Sequence, residues 1–258
     1  MTKAIFFDID GTLVSFKTHT IPQSALDAIH RVREKGIKVF IATGRPLPFI
    51  DNLEGLEYDG IMCVNGAYCI DKDGTIIHKA PVSKEDVYRI IDNQKSHPMP
   101  IAFASNDGAI FCCEGEIDQK VREVFTLLNL PIPSLSPIEN ALKMDIMQVI
   151  AFFNKDEEER IMSEVLKECA SNRWHPDFTD CIAKGTNKAT GIDAMIQYYG
   201  ISLNETMAFG DGGNDIEMLR HAGIGVAMGN ASDEVKDAAD IVTTSVDDDG
   251  VANILNNL

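Results

Sequence analysis

Short continuous apolar runs alternate with helical spacing over the N-terminal third of the chain. The runs at residues 4–7, 39–42 and 61–64 predict buried strands, because a strand that is covered on both faces is apolar throughout. Between the first two runs, a segment that begins at Pro22 and stops before Gly36 repeats its apolar residues at the period of a helix. The pattern therefore predicts a β-α-β unit followed by a third strand.

The next segment, YCIDKDGTII, is typical of a hairpin with its turn at residues 71–74. From about residue 82 to residue 183 the pattern changes, and strands are no longer separated by one helix each. We predict helices at 84–94, 119–128 and 156–170, and strands at 101–104, 109–113, 147–153 and 178–183, with SNDG as the turn between the first two strands. This arrangement predicts an α+β module with antiparallel pairing.

After Thr186 the first pattern returns. We predict helices at 188–199, 214–222 and 232–239, and strands at 206–209, 225–227 and 241–243. The fold class that we predict is α/β, with a doubly wound, mostly parallel, Rossmann-like core sheet and an inserted α+β domain. Residues 1–81 and 184–258 would form the core, and residues 82–183 the insert.

Composition restricts the function classes. The 258-residue chain has 23 basic and 40 acidic residues, a formal charge of −17, so we expect neither a nucleic acid nor a membrane as a partner. The N-terminus lacks a signal-peptide core and no apolar stretch approaches the roughly 20 residues of a spanning helix, so a cytoplasmic location is expected. The six cysteines have no paired spacing, and we interpret them as reduced core thiols.

Polar clusters that contain glycine follow four of the predicted strands. They are DIDGT after the strand at 4–7, TGR after 39–42, NGA after 61–64 and GDGGND after 206–209. Parallel α/β sheets bind ligands at the carboxyl ends of their strands. We therefore expect all four clusters at one edge of the core sheet.

Four carboxylates fall in these clusters. Asp8 and Asp10 lie two residues apart and should face one site, where Asp211 and Asp215 would join them. Two like charges 4 Å apart repel by roughly 4 kcal/mol at an effective dielectric of 20, so the group needs raised pKa values or a cation. The clusters contain no His or Cys, and oxygen ligands alone favour Mg²⁺ over Zn²⁺.

A carboxylate beside Mg²⁺ and a phosphate suits phosphoryl transfer. We predict Asp8 as the nucleophile that forms an aspartyl-phosphate, and Asp10 as the general acid and base. Gly11 permits the sharp turn that keeps both near the phosphate. The phosphate would be held by the Thr43 hydroxyl with the Gly44 amide, by Lys188, and by Asn214.

Other interpretations exist for single motifs. An isolated Asp-x-Asp is equally well a helix cap or a turn, and only the other three clusters make that explanation weak. GDGGND is excluded as a calcium loop because position 12 from Asp211 is Ala222 and not Glu. Arg45 is either a surface charge or a contact to the substrate, and the sequence does not decide between them.

The motifs DIDGTL, ATGR, the lysine in KGTNKATGI and GDGGND resemble, in this order, those of the haloacid dehalogenase superfamily, specifically its Cof-type phosphatases with a type IIB cap. The resemblance covers nearly the whole chain. It implies Asp8 as nucleophile, Asp10 as acid and base, and Mg²⁺ on Asp8, the Asp10 carbonyl and Asp211, with Asp215 nearby. It also implies a phosphate site made of the Ile9 amide, Thr43, the Gly44 amide, Lys188 and Asn214.

The leading hypothesis is a Mg²⁺-dependent phosphatase for small phosphorylated metabolites, with sugar phosphates as the substrate class that the resemblance implies. A phosphosugar mutase is the nearest enzymatic alternative, since the same intermediate can return its phosphoryl group to a sugar hydroxyl. A phospho-aspartate signalling module is the alternative from another class. The sequence does not indicate the oligomeric state or the individual substrate.

Overall fold

The computed structural model describes residues 1–105, 110–112, 116–127, 131–173 and 175–258. Contacts divide the chain into two units. The first consists of Met1–Arg45, Ile50–Lys79 and Asn187–Leu258, and the second of Pro46–Phe49 and Ala80–Thr186. The sequence placed the boundaries between core and insert at residues 81/82 and 183/184. The assignment of catalysis to one part and substrate selection to the other stays a prediction.

An eight-stranded sheet forms the centre of the first unit. Its strands are β1 (Ala4–Phe7), β2 (Lys38–Ala42), β3 (Gly60–Cys63), β4 (Tyr68–Asp71), β5 (Ile76–Lys79), β12 (Thr206–Gly210), β13 (Ile224–Ala227) and β14 (Ile241–Val242). Their order is β14-β13-β12-β1-β2-β3-β4-β5. The six strands from β14 to β3 are parallel, and β4 and β5 add an antiparallel hairpin.

Helices cover both faces of this sheet, as the fold class predicts. They are α1 (Gln23–Glu34), α5 (Lys188–Tyr199), α6 (Ile216–His221), α7 (Asp233–Lys236) and α8 (Gly250–Leu255). Phe6 stacks on Phe40 in the apolar cluster that α5, α6 and α7 complete, whereas the next residue, Phe7, stacks on Phe209. Because successive side chains of a strand point to opposite faces, this alternation gives a doubly wound core.

A six-stranded sheet forms the second unit, in the order β10-β11-β9-β6-β7-β8. The strands are β6 (Ile101–Ser105), β7 (Ile110–Cys112), β8 (Ser134–Leu135), β9 (Ile146–Ala151), β10 (Cys169–Asn172) and β11 (Thr179–Ala183), and the helices are α2 (Lys84–Ser96), α3 (Gln119–Leu127) and α4 (Lys155–Arg160). All pairs are antiparallel except β7 with β8. The unit is therefore an α+β domain.

Several element boundaries differ from the prediction. The third strand ends at Cys63, because Val64 has a left-handed backbone with φ of 52° and starts a turn. The helix predicted at 156–170 is wrong only after Val165: α4 ends at Arg160, a π-helical segment continues to Val165, and β10 begins at Cys169. The predicted SNDG turn, apart from Ser105, lies outside the described residues.

The cysteines whose side chains the structure describes are buried free thiols: Cys63, Cys69, Cys169 and Cys181. Burial raises the pKa of each, to about 12 for Cys69. Thiols in this state are unreactive, as expected from the sequence. None of the helices in the described part of the chain combines the length and the apolar character that crossing a bilayer requires.

Candidate active site

The first cluster forms a tight turn directly after β1. The backbone N–H of Asp8 still donates to Phe209 of β12, at 3.0 Å, which keeps Asp8 in register with the neighbouring strand. The carbonyl of Ile9 then accepts from the amides of Leu13 and Val14, at 3.0 and 2.7 Å, and closes the turn. Ile9 itself is fully buried, so its side chain anchors the turn in the core.

Gly11 is required at this turn for two reasons. Its φ of 86° is in the left-handed region that glycine adopts without steric cost. A Cβ at this position would also overlap the carboxylate of Asp211. The glycine therefore allows the carboxylate that follows β12 to approach the turn that follows β1.

A buried ammonium group joins two of the predicted carboxylates. The Nζ of Lys188, the first residue of α5, donates to Oδ1 of Asp8 and to Oδ1 of Asp215, both at 2.6 Å. Lys188 and Asp215 are fully buried, and Asp8 is 7% exposed. An ion pair in such surroundings persists only when hydrogen bonds satisfy its charges, and here each charge has at least one.

Asp215 and Asp211 are held by further hydrogen bonds. The second oxygen of Asp215 accepts from the backbone amides of Asp211 and Gly212, at 3.0 and 2.9 Å. The two oxygens of Asp211 accept from the Thr12 hydroxyl and from the Asn230 amide group, both at 3.0 Å. Asp215 is therefore fully engaged within the protein, whereas Asp211 is held in place by neutral donors.

The pKa values reflect burial and an excess of negative charge. Burial raises the pKa of Asp8 well above its usual range, although Lys188 opposes this effect. Burial also raises the pKa of Asp211 to about 6, against the hydrogen bond from Thr12. Burial alone would lower the pKa of Lys188, but Asp215 and Asp8 outweigh it and raise the value, because one ammonium faces two carboxylates.

The donor set fits a hard divalent cation. Oxygens of Asp8, Asp211 and Asp215 lie within 4.8 Å of one another, and one ammonium does not neutralise three carboxylates. At that separation two like charges repel by about 3 kcal/mol at an effective dielectric of 20. Oδ2 of Asp8 receives no hydrogen bond from any described residue, so this oxygen is open to a cation.

Most of the predicted phosphate-binding groups have donors to spare. Thr43 is buried, and its Oγ1 accepts from the Arg45 amide at 3.0 Å, which leaves the hydroxyl proton available. Within the described part of the chain, no hydrogen bond uses the backbone amide of Ile9 or Gly44. The side-chain amide of Asn214 donates to Oδ1 of Asn65 at 2.9 Å and keeps its second proton.

Arg45 pairs with Asp10. Its Nε and Nη2 donate to the two oxygens of Asp10, both at 2.7 Å, in a bidentate geometry. The sequence offered two interpretations of Arg45, a surface charge or a substrate contact. Neither included the ion pair with Asp10 that the structure contains. The pair neutralises the Asp10 charge close to the other carboxylates.

Three residues of this site were outside the predicted set: Thr12, Asn65 and Asn230. Thr12 and Asn65 belong to clusters that the strand-end rule had already identified, so a signal existed for both. No sequence signal indicated Asn230, although its side chain joins the segments of Gly11, Asp211 and Val246. Its Nδ2 donates to Asp211 and to the carbonyl of Gly11, and its Oδ1 accepts from the amide of Val246 at 3.0 Å.

Comparison with known families agrees with this geometry. The family model of the haloacid dehalogenase-like hydrolases matches residues 5–255. The chain belongs to the haloacid dehalogenase-like hydrolases. This hydrolase is 33% identical to the protein YkrA of Bacillus subtilis (strain 168), over 100% of this chain and 98% of the relative. The family resemblance seen in the four motifs is thereby confirmed.

Solved structures of the superfamily share the whole fold. BT1666 from Bacteroides thetaiotaomicron, one of the phosphatases of the superfamily, superposes with a TM-score of 0.90 at 37% identity and covers 100% of this chain and 95% of its own. The subclass IIB sugar phosphatase BT4131 has a TM-score of 0.86 at 41% identity, over 99% of this chain and 98% of its own. The hydrolase is thus a phosphatase of this superfamily.

Removal of the buried ammonium should destabilise this phosphatase. We expect Lys188→Met to lower the free energy of unfolding by about 3–5 kcal/mol, because the variant leaves two buried carboxylates without their cation. Urea unfolding followed by circular dichroism measures the change. The control is Lys3→Met, which removes a solvent-exposed ion pair with Glu205 and should cost at most about 1 kcal/mol. Equal effects of the two substitutions would contradict the role given to Lys188.

Proposed function

We propose that this phosphatase is Mg²⁺-dependent and hydrolyses small phosphorylated metabolites through an aspartyl-phosphate on Asp8. The observation that carries the proposal is the arrangement at Asp8. One of its oxygens is held by Lys188 at 2.6 Å, and the other receives no hydrogen bond from any described residue. This combination suits a nucleophile, because the contact with Lys188 fixes the orientation of the carboxylate and leaves its second oxygen for the metal.

In the first step, a carboxylate oxygen of Asp8 attacks the phosphorus and the ester bond to the leaving oxygen breaks. Asp10 supplies the proton that the leaving oxygen takes up. In the second step, a water attacks the phosphorus of the aspartyl-phosphate and gives its proton to Asp10, which releases phosphate and restores the Asp8 carboxylate. Asp10 therefore ends each cycle in the protonation state in which it began.

The contact between Arg45 and Asp10 affects whether Asp10 can act as the acid or as the base in these steps. A carboxylate that is paired with a guanidinium on both oxygens is ionised, which suits the base of the second step. The acid of the first step needs a proton on one of these oxygens, so one of the two contacts has to open. We propose that Arg45 opens this contact when the substrate binds.

The metal would be held by Asp8, the backbone carbonyl of Asp10 and Asp211, with Asp215 close to it but already engaged with Lys188 and two amides. When bound, Mg²⁺ supplies positive charge that offsets the negative charge of the phosphoryl group. The phosphate itself would be held by the amides of Ile9 and Gly44, the Thr43 hydroxyl, Lys188 and Asn214. These protein groups orient the phosphorus toward Asp8.

The substrate class that we propose is sugar phosphates. Support comes from BT4131, a sugar phosphatase that is 41% identical over nearly the full length of both chains. Lys188 and Arg45 are both paired with carboxylates, so a bound metal and the free amides of Ile9 and Gly44 would supply the attraction for an anionic substrate. We further propose that the insert at residues 82–183 determines which sugar is accepted.

Asp8→Asn should lower kcat by about 10⁴-fold or more, because a neutral amide does not attack phosphorus. Mass spectrometry of acid-quenched wild type should find a phosphorylated peptide that contains Asp8, and the variant should lack it. Asp92→Asn, a carboxylate that is 82% exposed, is the matched control and should keep wild-type kinetics. Turnover of Asp8→Asn within tenfold of wild type would exclude Asp8 as the nucleophile.

Asp10→Asn should slow the second step more than the first on p-nitrophenyl phosphate, whose leaving group needs no proton. We expect a burst of p-nitrophenol equal to the enzyme concentration, followed by a steady rate about 10²- to 10⁴-fold below wild type. Rapid-quench kinetics measure both phases. A variant without a burst that turns over at the wild-type rate would refute the role of Asp10.

Mg²⁺ should restore activity after chelation and should raise the melting temperature of the wild type, since a ligand that binds only the folded state stabilises it. In Asp211→Asn, half-maximal recovery of activity and half of the rise in melting temperature should each require an Mg²⁺ concentration at least tenfold higher than in the wild type. The melting curve needs no substrate, so it tests metal binding independently of catalysis. Full activity of the wild type in excess EDTA would contradict the metal requirement.

A panel of sugar phosphates, nucleotides and phosphorylated vitamins tests the function as a whole. We expect release of inorganic phosphate, with the highest kcat/KM among the sugar phosphates. Phosphorus NMR of the products separates hydrolysis from phosphoryl transfer within the sugar. Isomerised phosphosugar without free phosphate would show that the enzyme is a mutase instead of a phosphatase. If no ester in the panel releases phosphate, the proposed function is wrong.

A further inference from the structure

The turn that follows β3 has a backbone that most side chains avoid. Val64, Asn65 and Gly66 have φ values of 52°, 52° and 88°, so three consecutive residues are in the left-handed region. Glycine adopts this region freely and asparagine tolerates it, but it is unfavourable for a β-branched valine. Such strain persists only where the surroundings determine the conformation, and it is common at functional sites.

Hydrogen bonds fix this turn to the TGR cluster that follows β2. The amide of Asn65 donates to the carbonyl of Thr43 at 2.9 Å, and the amide of Val64 donates to the carbonyl of Arg45 at 3.1 Å. The turn therefore lies against the segment that carries Thr43 and Gly44, both of which belong to the proposed phosphate site.

Close packing fixes the other side of the turn to the start of α5. A Cβ at Gly66 would lie 2.5 Å from the carbonyl oxygen of Asn187, the residue that precedes Lys188. Only glycine permits this approach. The turn thus connects the segment of Thr43 with the helix end that positions Lys188.

Asn65 places its side-chain amide among these groups. The residue is 8% exposed, and its Oδ1 accepts from Nδ2 of Asn214 at 2.9 Å. Its Nδ2 donates to no other described residue. A Cβ built on Gly44 would lie 3.2 Å from Oδ1 and 3.4 Å from Nδ2 of Asn65, so this unpaired donor lies beside the Gly44 backbone.

Asn65 is largely buried, but its Nδ2 is not among the fully buried atoms that lack a partner, so this donor is accessible to a ligand. The neighbouring groups with free donors, namely the Gly44 amide, the Thr43 hydroxyl and Asn214, all belong to the proposed phosphate site. The Nδ2 of Asn65, which lies among these donors, is therefore suited to bind an anionic oxygen. We propose that Asn65 is a phosphate-binding residue, which donates a hydrogen bond from Nδ2 to the phosphate group of the substrate while its Oδ1 orients Asn214. This inference rests on the proposed function, because the ligand is the same phosphate.

Asparagine meets three requirements at once in this position. It tolerates the left-handed backbone, its oxygen accepts from Asn214, and its nitrogen keeps donors for the ligand. Aspartate would meet the first two and lose the donor, and glycine would meet the first alone. Asn65→Asp and Asn65→Gly are therefore matched variants that remove the donor without imposing backbone strain.

Binding of inorganic phosphate to the complete enzyme, measured by titration calorimetry, tests the proposal. We expect Asn65→Gly to weaken phosphate binding by about tenfold or more, the size of one hydrogen bond to a charged group. Asn65→Asp should weaken it further, because the variant adds a negative charge. Asp249→Gly is the control, since Asp249 has a positive φ (60°) as Asn65 does but is exposed. The phosphate affinity of this variant should equal that of wild type.

A double variant separates direct contact from an effect through Asn214. If Asn65 donates to the phosphate, Asn65→Gly should still weaken binding severalfold when it is introduced into Asn214→Ala. If the second substitution adds no loss, Asn65 only positions Asn214, and the proposal is overturned. Melting curves of all variants establish folding, and Asn65→Asp provides a second measurement in case Asn65→Gly is unstable.

The outcome is distinguishable from failure of the proposed function. Wild-type enzyme that hydrolyses sugar phosphates, together with Asn65→Gly and Asn65→Asp variants that bind phosphate as wild type does, would reject the role of Asn65 alone. Wild-type enzyme that releases phosphate from no ester would reject the proposed function. The calorimetric titration decides the phosphate contact of Asn65 in either case, because it requires no turnover.

Discussion

The active-site end of the first unit depends on one buried ammonium group. Lys188 is fully buried and contacts Asp8, which is 180 residues distant in sequence, and Asp215, 27 residues distant. These contacts join the end of β1, the start of α5 and the loop after β12. An ammonium in the protein interior is stable only with its partners present, so the three segments assemble as one arrangement.

The charges around this ammonium have distinct surroundings. Asp215 is saturated by Lys188 and two backbone amides, and Asp10 is neutralised by Arg45. Burial raises the pKa of Asp8 and of Asp211, and the neighbouring carboxylates add to this effect. The free oxygen of Asp8 distinguishes this cluster from a purely structural ion-pair network, which would have satisfied every carboxylate.

Much of the fold and of this site follows from local sequence patterns. Continuous apolar runs identified β1, β2 and β12, because strands that are covered on both faces leave no polar positions. The strand-end rule then selected all four clusters, since parallel strands place their carboxyl ends at one edge. The helix predicted at 156–170 is wrong at its C-terminal end because β10 pairs with β11, and that pairing overrides the helical propensity of the last residues.

The sequence by itself determined the fold class and the residue types of the site, because periodicity and strand-end motifs are local properties. Tertiary structure decided which side chains meet. Arg45 pairs with Asp10 across 35 positions, Asn65 with Asn214 across 149, and Asn230 with Gly11 across 219. Contacts at such separations depend on sheet order and loop geometry, and no local pattern of hydrophobic and polar residues encodes them.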